Sequence, residues 1–241
     1  MLQFFRCALF VAIAVLIASC ASRPRSGVKN TSRTFKTVVV DPGHGGKDSG
    51  AVRRYGGPEK VAALDVAQRL NRKLRESQLK TVMTRSSDVL VHLERRVSIS
   101  NKKKNAIFVS IHFNDSRRRA IRGFETYYFS PASRPLAQRI QQKLLTIRGS
   151  ANRGVHFGSF HVLRNAKYPA VLVECGFLSN RKEGRGARDA DYRELLADKI
   201  AEAIVEQRYG PGVYSAPPAT APLPTPAPPA EGVNTGPQSS P

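Results

Sequence analysis

The chain has 241 residues, 41% hydrophobic and 24% charged, enough for one full α/β domain with its own core and too few for a second large one. Its formal net charge is +21; Arg6 is the only charge in residues 1–20 and Glu231 the only one after Gly210, and because these two cancel, residues 21–210 carry the whole excess. Such a field favours anionic headgroups or acidic cell-wall polymers as partners, and in an exported chain nucleic acid is not expected.

The N-terminus reads as an export signal. Arg6 precedes an unbroken apolar run from Cys7 to Ala18, too short for a stable membrane span. It closes on Ile17-Ala18-Ser19-Cys20, which resembles the lipobox of bacterial lipoproteins and implies an acylated Cys20 that holds the protein at a membrane. Ordinary cleavage near Ser19, leaving Cys20 an incidental thiol, is the alternative. Residues 21–35 are then a basic linker, residues 36–210 the folded domain, and residues 211–241 a Pro/Ala-rich tail; both flanks read as disordered. Cys7 and Cys20 belong to the signal, so Cys175 is left without a disulfide partner and stability rests on the core.

Inside the domain, strand and helix patterns alternate. Thr37 to Val40 is a β-branched strand followed by a glycine-rich loop. A helix opens near Glu59 behind Gly57-Pro58, with Ala63, Val66, Ala67, Leu70 and Leu74 on one face and Arg69, Arg72, Lys73 and Glu76 elsewhere. A strand over Lys80–Thr84, a helix from about Leu90 to Asn101 and a strand over Ala106–Ile111 follow. Further strands are expected at Gly123–Phe129, Ser159–Leu163 and Ala170–Val173, and helices at Arg134–Ile147 and Tyr192–Gln207, the last turning Leu195, Leu196, Ile200 and Ile204 inward. This order specifies a single three-layer α/β domain.

Three of the apolar runs end near residues able to bind or serve a metal. Thr37–Val40 leads through Asp41-Pro42-Gly43 to His44, Ala106–Ile111 stops at His112, and Ala170–Val173 stops at Glu174. In an open α/β sheet such positions converge beyond the carboxyl ends of the strands. Glu59 by itself reads as a first-turn carboxylate facing the helix dipole. Two histidines and a glutamate together, however, form a catalytic zinc set that leaves a fourth position for water. Glu174 ends a strand too apolar to bury an idle carboxylate, so it faces a site and suits a proton carrier there, unless one of the many arginines pairs it.

Several segments in register, VVVDPGHGGKDSGAV, GGPEK, TVMTRSSD, FVSIHFN and PAVLVECGFLSN, resemble the zinc-dependent N-acetylmuramoyl-L-alanine amidases of bacterial cell-wall turnover over roughly Thr37–Tyr209. The resemblance implies a mixed, mostly parallel sheet of about six strands flanked by helices. It also implies one Zn2+ per chain on His44, Glu59 and His112, with Glu174 as the catalytic glutamate. Asn114 and Arg85 match recurrent family positions and are assigned support of the site or fold. The implied reaction is hydrolysis of the amide between N-acetylmuramic acid and L-alanine in peptidoglycan; the export segment places the protein facing the periplasm or cell envelope, and a monomer is expected. The stretches after His112 and at Ser130–Arg134 are too short for the inserted helix that covers the zinc in some relatives, so an open groove is expected. His161 reads as a sheet-face histidine, His92 and His156 as loop or surface residues. A zinc peptidase cutting the stem peptide, or a silent wall-binding lipoprotein, remains open at this point; bond choice and bound metal separate them.

Overall fold

The computed structural model describes residues 27–216. Its elements run β1 (Thr37–Pro42), β2 (Val52–Arg53), β3 (Gly57–Pro58), α1 (Glu59–Glu76), β4 (Lys80–Met83), α2 (Leu93–Asn101), β5 (Ala106–Asn114) and β6 (Phe124–Tyr128). After a single 3-10 turn at Pro131–Ser133 come α3 (Arg134–Leu144), β7 (Asn152–Phe157), α4 (His161–Arg164), β8 (Ala170–Phe177), α5 (Arg181–Arg188) and α6 (Ala190–Tyr209). Six strands form one sheet in the order β4-β1-β5-β8-β6-β7, all neighbours parallel except β6 against β8. The expected α/β class, strand number and mostly parallel pairing are all present. No helix among the described residues is long and apolar enough to cross a membrane.

Period-two alternation divides the central strands between two cores. Val38, Val40, Ile107, Val109, Ile111, Val171 and Val173 point to a layer built from α1, α3 and α6, while Val39, Ala106, Phe108, Ala170 and Leu172 meet Val162 and Leu163 of α4 and Val97 and Ile99 of α2. The helix α1 forms because Ala63, Val66, Ala67, Leu70 and Leu74 make one continuous apolar stripe, and every one of them is wholly buried. Each large member of that stripe contributes about 1.5–3 kcal/mol by leaving water. The same alternation puts Asp41, Ser110, His112 and Glu174 on the α2/α4 side at the carboxyl end of the sheet. There the chain leaves β1 for β4 on one side and returns to β5 on the other, which opens a crevice between β1 and β5.

The structure corrects several expectations. Ser159–Leu163 is no strand: His161–Arg164 is a short helix, and the edge strand of that region is β7, whose NRGVHF sequence lacks an apolar run. Residues 181–188 form an unforeseen helix; RKEGRGAR has almost no apolar periodicity, and α5 is held by the Asn180 side chain, which accepts from the Lys182 and Glu183 amides, and by Glu183, which accepts from the amides of Gly123 and Phe177. Leu195 lies on the outer face of α6, whereas Leu196, Ile200 and Ile204 are buried as expected. Lys73 is buried on α1 among carboxylates of α6. The expected linker is partly domain: Phe35 is in the core, the Thr31 hydroxyl donates to the Ala106 carbonyl at 2.6 Å, and Gln207 donates to the Ser32 carbonyl. At the other end Tyr214 donates to Asp198 at 2.8 Å, so packing continues past Gly210. The export segment, Cys20 and residues 217–241 lie outside the described residues.

Candidate metal centre and active site

His44, Glu59 and His112 come together although three different segments supply them. One donor atom from each lies within 4.8 Å of the other two. Glu59, the first residue of α1, reaches both histidines: its Oε2 is 3.1 Å from His44 Nε2 and its Oε1 is 2.9 Å from His112 Nδ1. Backbone amides fix the carboxylate from the other side, Ala51 N–H donating to Oε2 at 3.0 Å and Phe113 N–H to Oε1 at 3.1 Å. Burial raises the Glu59 carboxyl, but hydrogen bonds and charge from His112 and His44 outweigh it and hold the group well below the usual carboxylate range. Burial likewise lowers His44, and Glu59 and Asp48 outweigh it to leave the imidazole raised.

His44 is aimed by its other ring nitrogen, where Nδ1 sits 2.9 Å from Asp48 Oδ2. A carboxylate on one imidazole nitrogen sets the tautomer and frees Nε2 for a cation. The residue itself has φ +56°, a left-handed conformation costly outside glycine and retained where the surroundings over-determine it. Gly43 and Gly50 complete the cradle: a Cβ at the first would strike the His112 ring, and one at the second would strike Glu59 Oε2 and His44. The donor set, its fixed orientations and the glycine clearance all fit a divalent cation with a position left open.

Two buried arginines hold the loop that presents His44. Arg85 donates to the carbonyls of Pro42 at 3.1 Å, Gly43 at 2.6 Å, Lys60 at 3.0 Å and Ser87 at 3.1 Å, tying the β1 loop to α1. Burial and then the neighbouring Arg96 push its pKa down to about 10, and it does not line the cavity. Arg96 was invisible in the sequence, since Val97 and Ile99 dominate that helix pattern. It donates to His44 O at 2.7 Å, Pro42 O at 2.6 Å and Asp41 Oδ1 at 2.7 Å. Asp41, buried, also accepts from Thr84 and Ser110 hydroxyls, so the loop rests on a fully satisfied polar network.

Glu174 faces His112 across the β5–β8 register, and both line one cavity of about 500 Å³ with His44 and Glu59. The residue is half-buried, yet its Oε2 is covered from solvent and has no hydrogen-bond partner among the described residues. Burial pushes its pKa up to about 7; His112 pulls it down, and the nearby Glu59 and Glu125 push it up. Asn114 lines the same cavity and donates to Glu125 Oε2 at 3.0 Å, as does the Tyr127 hydroxyl at 2.7 Å, while Arg153 pairs with Oε1. His161 is on no sheet face; it begins α4, lines the cavity and lies 3.6 Å from Glu94. No helix stands between β5 and β6, and the His44 and His112 side chains keep about a fifth of their surface open, at 23% and 19%.

The chain matches relatives with this architecture. Over 174 residues it is 39% identical to the N-acetylmuramoyl-L-alanine amidase LytC of Bacillus subtilis, a match covering 70% of this chain and 35% of that protein. It is 35% identical over 210 residues to the uncharacterized protein YqiI of the same organism, covering 85% and 97% of the two chains. The chain thus spans only about a third of the length of LytC and nearly all of YqiI. Among solved structures, the catalytic domain of the amidase CwlV from Bacillus (Paenibacillus) polymyxa superposes with a TM-score of 0.68 at 40% identity, covering 71% of this chain and 97% of that one. AmiC2 of Nostoc punctiforme gives 0.69 at 35% identity, covering 70% and 95%. The family model described as N-acetylmuramoyl-L-alanine amidase matches residues 38–206, which include every side chain of the site above, and the chain belongs to that family.

Proposed function

We propose that this chain hydrolyses the amide joining the lactyl group of N-acetylmuramic acid to L-alanine in peptidoglycan, using one zinc ion on His44, Glu59 and His112. The observation that carries this reading is Glu174: a carboxylate with an uncompensated, water-shielded oxygen in the cavity that gathers the three donors. A bound zinc supplies Lewis acidity, polarising the scissile carbonyl and making water acidic enough to attack near neutral pH. Glu174 takes the proton of the attacking water and returns it to the departing amine nitrogen, work suited to a carboxyl titrating near 7. Asp48 keeps His44 in its donor tautomer, and Arg85 and Arg96 keep the His44 loop in register with α1. Asn114 orients Glu125 behind Glu174. The groove is open, which suits a polymeric substrate.

The chain acts outside the cytoplasm as a monomeric lipoprotein, exported by residues 1–20 and anchored through acylated Cys20, with wall remodelling as its role. Product masses from defined muropeptides and purified cell wall, read beside metal content, test the enzymatic reading. The expected result is one zinc per chain, free stem peptide and intact glycan, and loss of cleavage in Glu174→Ala with zinc retained. Cleavage within the stem peptide would make the chain a peptidase, and zinc loss in that variant would make Glu174 a ligand. Radiolabelled fatty acid incorporated by the full chain and lost in Cys20→Ala checks the anchor.

A further inference from the structure

Beside the catalytic cavity lies a second concavity of about 330 Å³ whose walls carry Arg53, Arg54, Arg117 and Arg119. Its two walls are continuations of the metal-binding segments. The β2–β3 hairpin that bears Arg53 runs directly into Glu59, and the loop that bears Arg117 and Arg119 runs directly out of β5, three residues beyond His112. Asp115 stands between the two hollows: it lines the catalytic cavity, and its carboxylate takes Arg53 in a two-pronged pair whose Nε–Oδ1 arm is 2.6 Å. Among the described residues no carboxylate lines the hollow itself. The guanidinium groups of Arg54, Arg117 and Arg119 have no hydrogen-bond or ion-pair partner among the described residues.

With Arg53 matched by Asp115, three like charges remain on the concave surface, and they repel one another unless an anion joins them. Their backbone is fixed, which distinguishes them from a loose solvated run. Ser116 N–H donates to Ser179 Oγ at 3.0 Å, Arg118 N–H to Ser116 Oγ at 3.1 Å, and Asn180 Nδ2 to Arg119 O at 2.9 Å. The forked N–H donors of arginine match a carboxylate in pairs. We infer that this pocket is a carboxylate subsite, which grips an acidic group on the peptide part of the substrate while the scissile amide lies over the metal centre. The inference rests on the hydrolase reading for the identity of the substrate, and it fixes which side of that substrate faces Arg117 and Arg119.

Equilibrium titration of the full-length, metal-free protein tests the subsite apart from cleavage. The probes, at one ionic strength, are an acidic tripeptide beginning with L-alanine, the same peptide with its carboxyls amidated, and inorganic phosphate. The acidic peptide is expected to bind at least tenfold tighter than the amidated one. The double variant Arg117→Ala/Arg119→Ala should lose that preference, and Arg118→Ala/Arg122→Ala, which removes the same two charges outside the pocket, should keep it. Equal binding of the two peptides, a preference surviving the pocket double variant, or its loss in Arg118→Ala/Arg122→Ala as well would overturn the subsite. So would phosphate binding tighter than the acidic peptide, which would assign the pocket to a phosphate-bearing polymer. With cleavable muropeptides the pocket double variant should raise KM about tenfold and leave kcat within twofold. A wild-type protein that binds with the stated preference but releases no stem peptide defeats the hydrolase reading alone; one that cleaves without the preference defeats the subsite alone.

Discussion

Glu194 and Glu174 are both glutamates drawn into the protein, on opposite faces of the same sheet, and they are treated in opposite ways. Glu194, on α6, meets Lys73 at 2.8 Å, Arg69 at 2.6 Å and Arg72 at 2.8 Å, all from α1. Burial raises its pKa, and the Lys73 and Arg69 hydrogen bonds reverse that and bring it to about 2. Glu174 receives no such partner among the described residues and rises to about 7. The basic chain has arginines to spare, so the isolation of Glu174 is no shortage of cations. Between α1 and α6 charge is matched to fix helix packing, and at the carboxyl edge of the sheet an acid is kept unmatched in a cavity, the setting that the proposed proton transfer needs.

The largest effect should come from the unmatched acid. Glu174→Gln preserves shape and hydrogen-bonding capacity and removes only the exchangeable charge, so kcat on a muropeptide should drop about 10³-fold, within the range for losing a positioned acid–base group. Zinc stoichiometry and the urea midpoint should hold or improve. A variant that cleaves at more than a tenth of the wild-type rate would remove Glu174 from the chemistry. For the matched acid the result should invert. Glu194→Ala leaves Lys73 buried opposite a single remaining carboxylate, Asp198 at 3.3 Å, and urea denaturation should report a loss of about 3 kcal/mol. Activity per folded molecule should stay near wild type.

The two acids should also impose opposite pH slopes on stability. The folded pKa of Glu194 lies below its unfolded value, so its contribution is complete above about 4.5 and disappears as pH falls toward 2. Glu174 has a folded pKa above its unfolded value, so in metal-free protein stability is greatest below about 4.5 on its account and declines as pH rises through 7. Subtracting the urea-derived stability of Glu174→Gln from that of the wild type, pH by pH, isolates the second slope. A flat difference between pH 4.5 and 7 would mean that the carboxyl finds a partner in solution.

Much of this contrast is legible in the sequence, and the reason is local. His44, His112 and Glu174 stand after β-branched runs that can only be buried strands, so strand ends and side-chain parity were readable, and sheet topology does the gathering. Glu59 was legible only in company, because a first-turn glutamate is ordinary. The resemblance supplied the reaction, which spacing could not. What escaped were features set by distant packing. Arg96 lies 55 residues from Asp41, and nothing near it in sequence requires a buried cation. Lys73 looked solvent-facing because its partners are 121 and 125 residues away on α6. The strand β7 and helix α5 have weak patterns of their own, and borrow order from β6 and from the Glu183 bonds.

The smallest predicted effect separates a ligand from the group that aims it. Asp48 is exposed at the edge of the cavity, and its service is the 2.9 Å contact that places a proton on His44 Nδ1 and leaves Nε2 free. Asp48→Asn keeps a hydrogen-bond acceptor of nearly the same shape but loses the charge that makes the imidazole a stronger donor to metal. Zinc affinity in a competitive chelator titration should weaken about tenfold, the low end for such outer partners, because Glu59 and the left-handed backbone at His44 still hold the ring in place. At saturating zinc kcat should recover to within a few-fold of wild type, whereas His44→Ala should not recover at any zinc concentration. If Asp48→Asn binds zinc normally yet turns over slowly, Asp48 acts on the reaction itself, and the division between one unmatched acid and its matched surroundings would need a second exception.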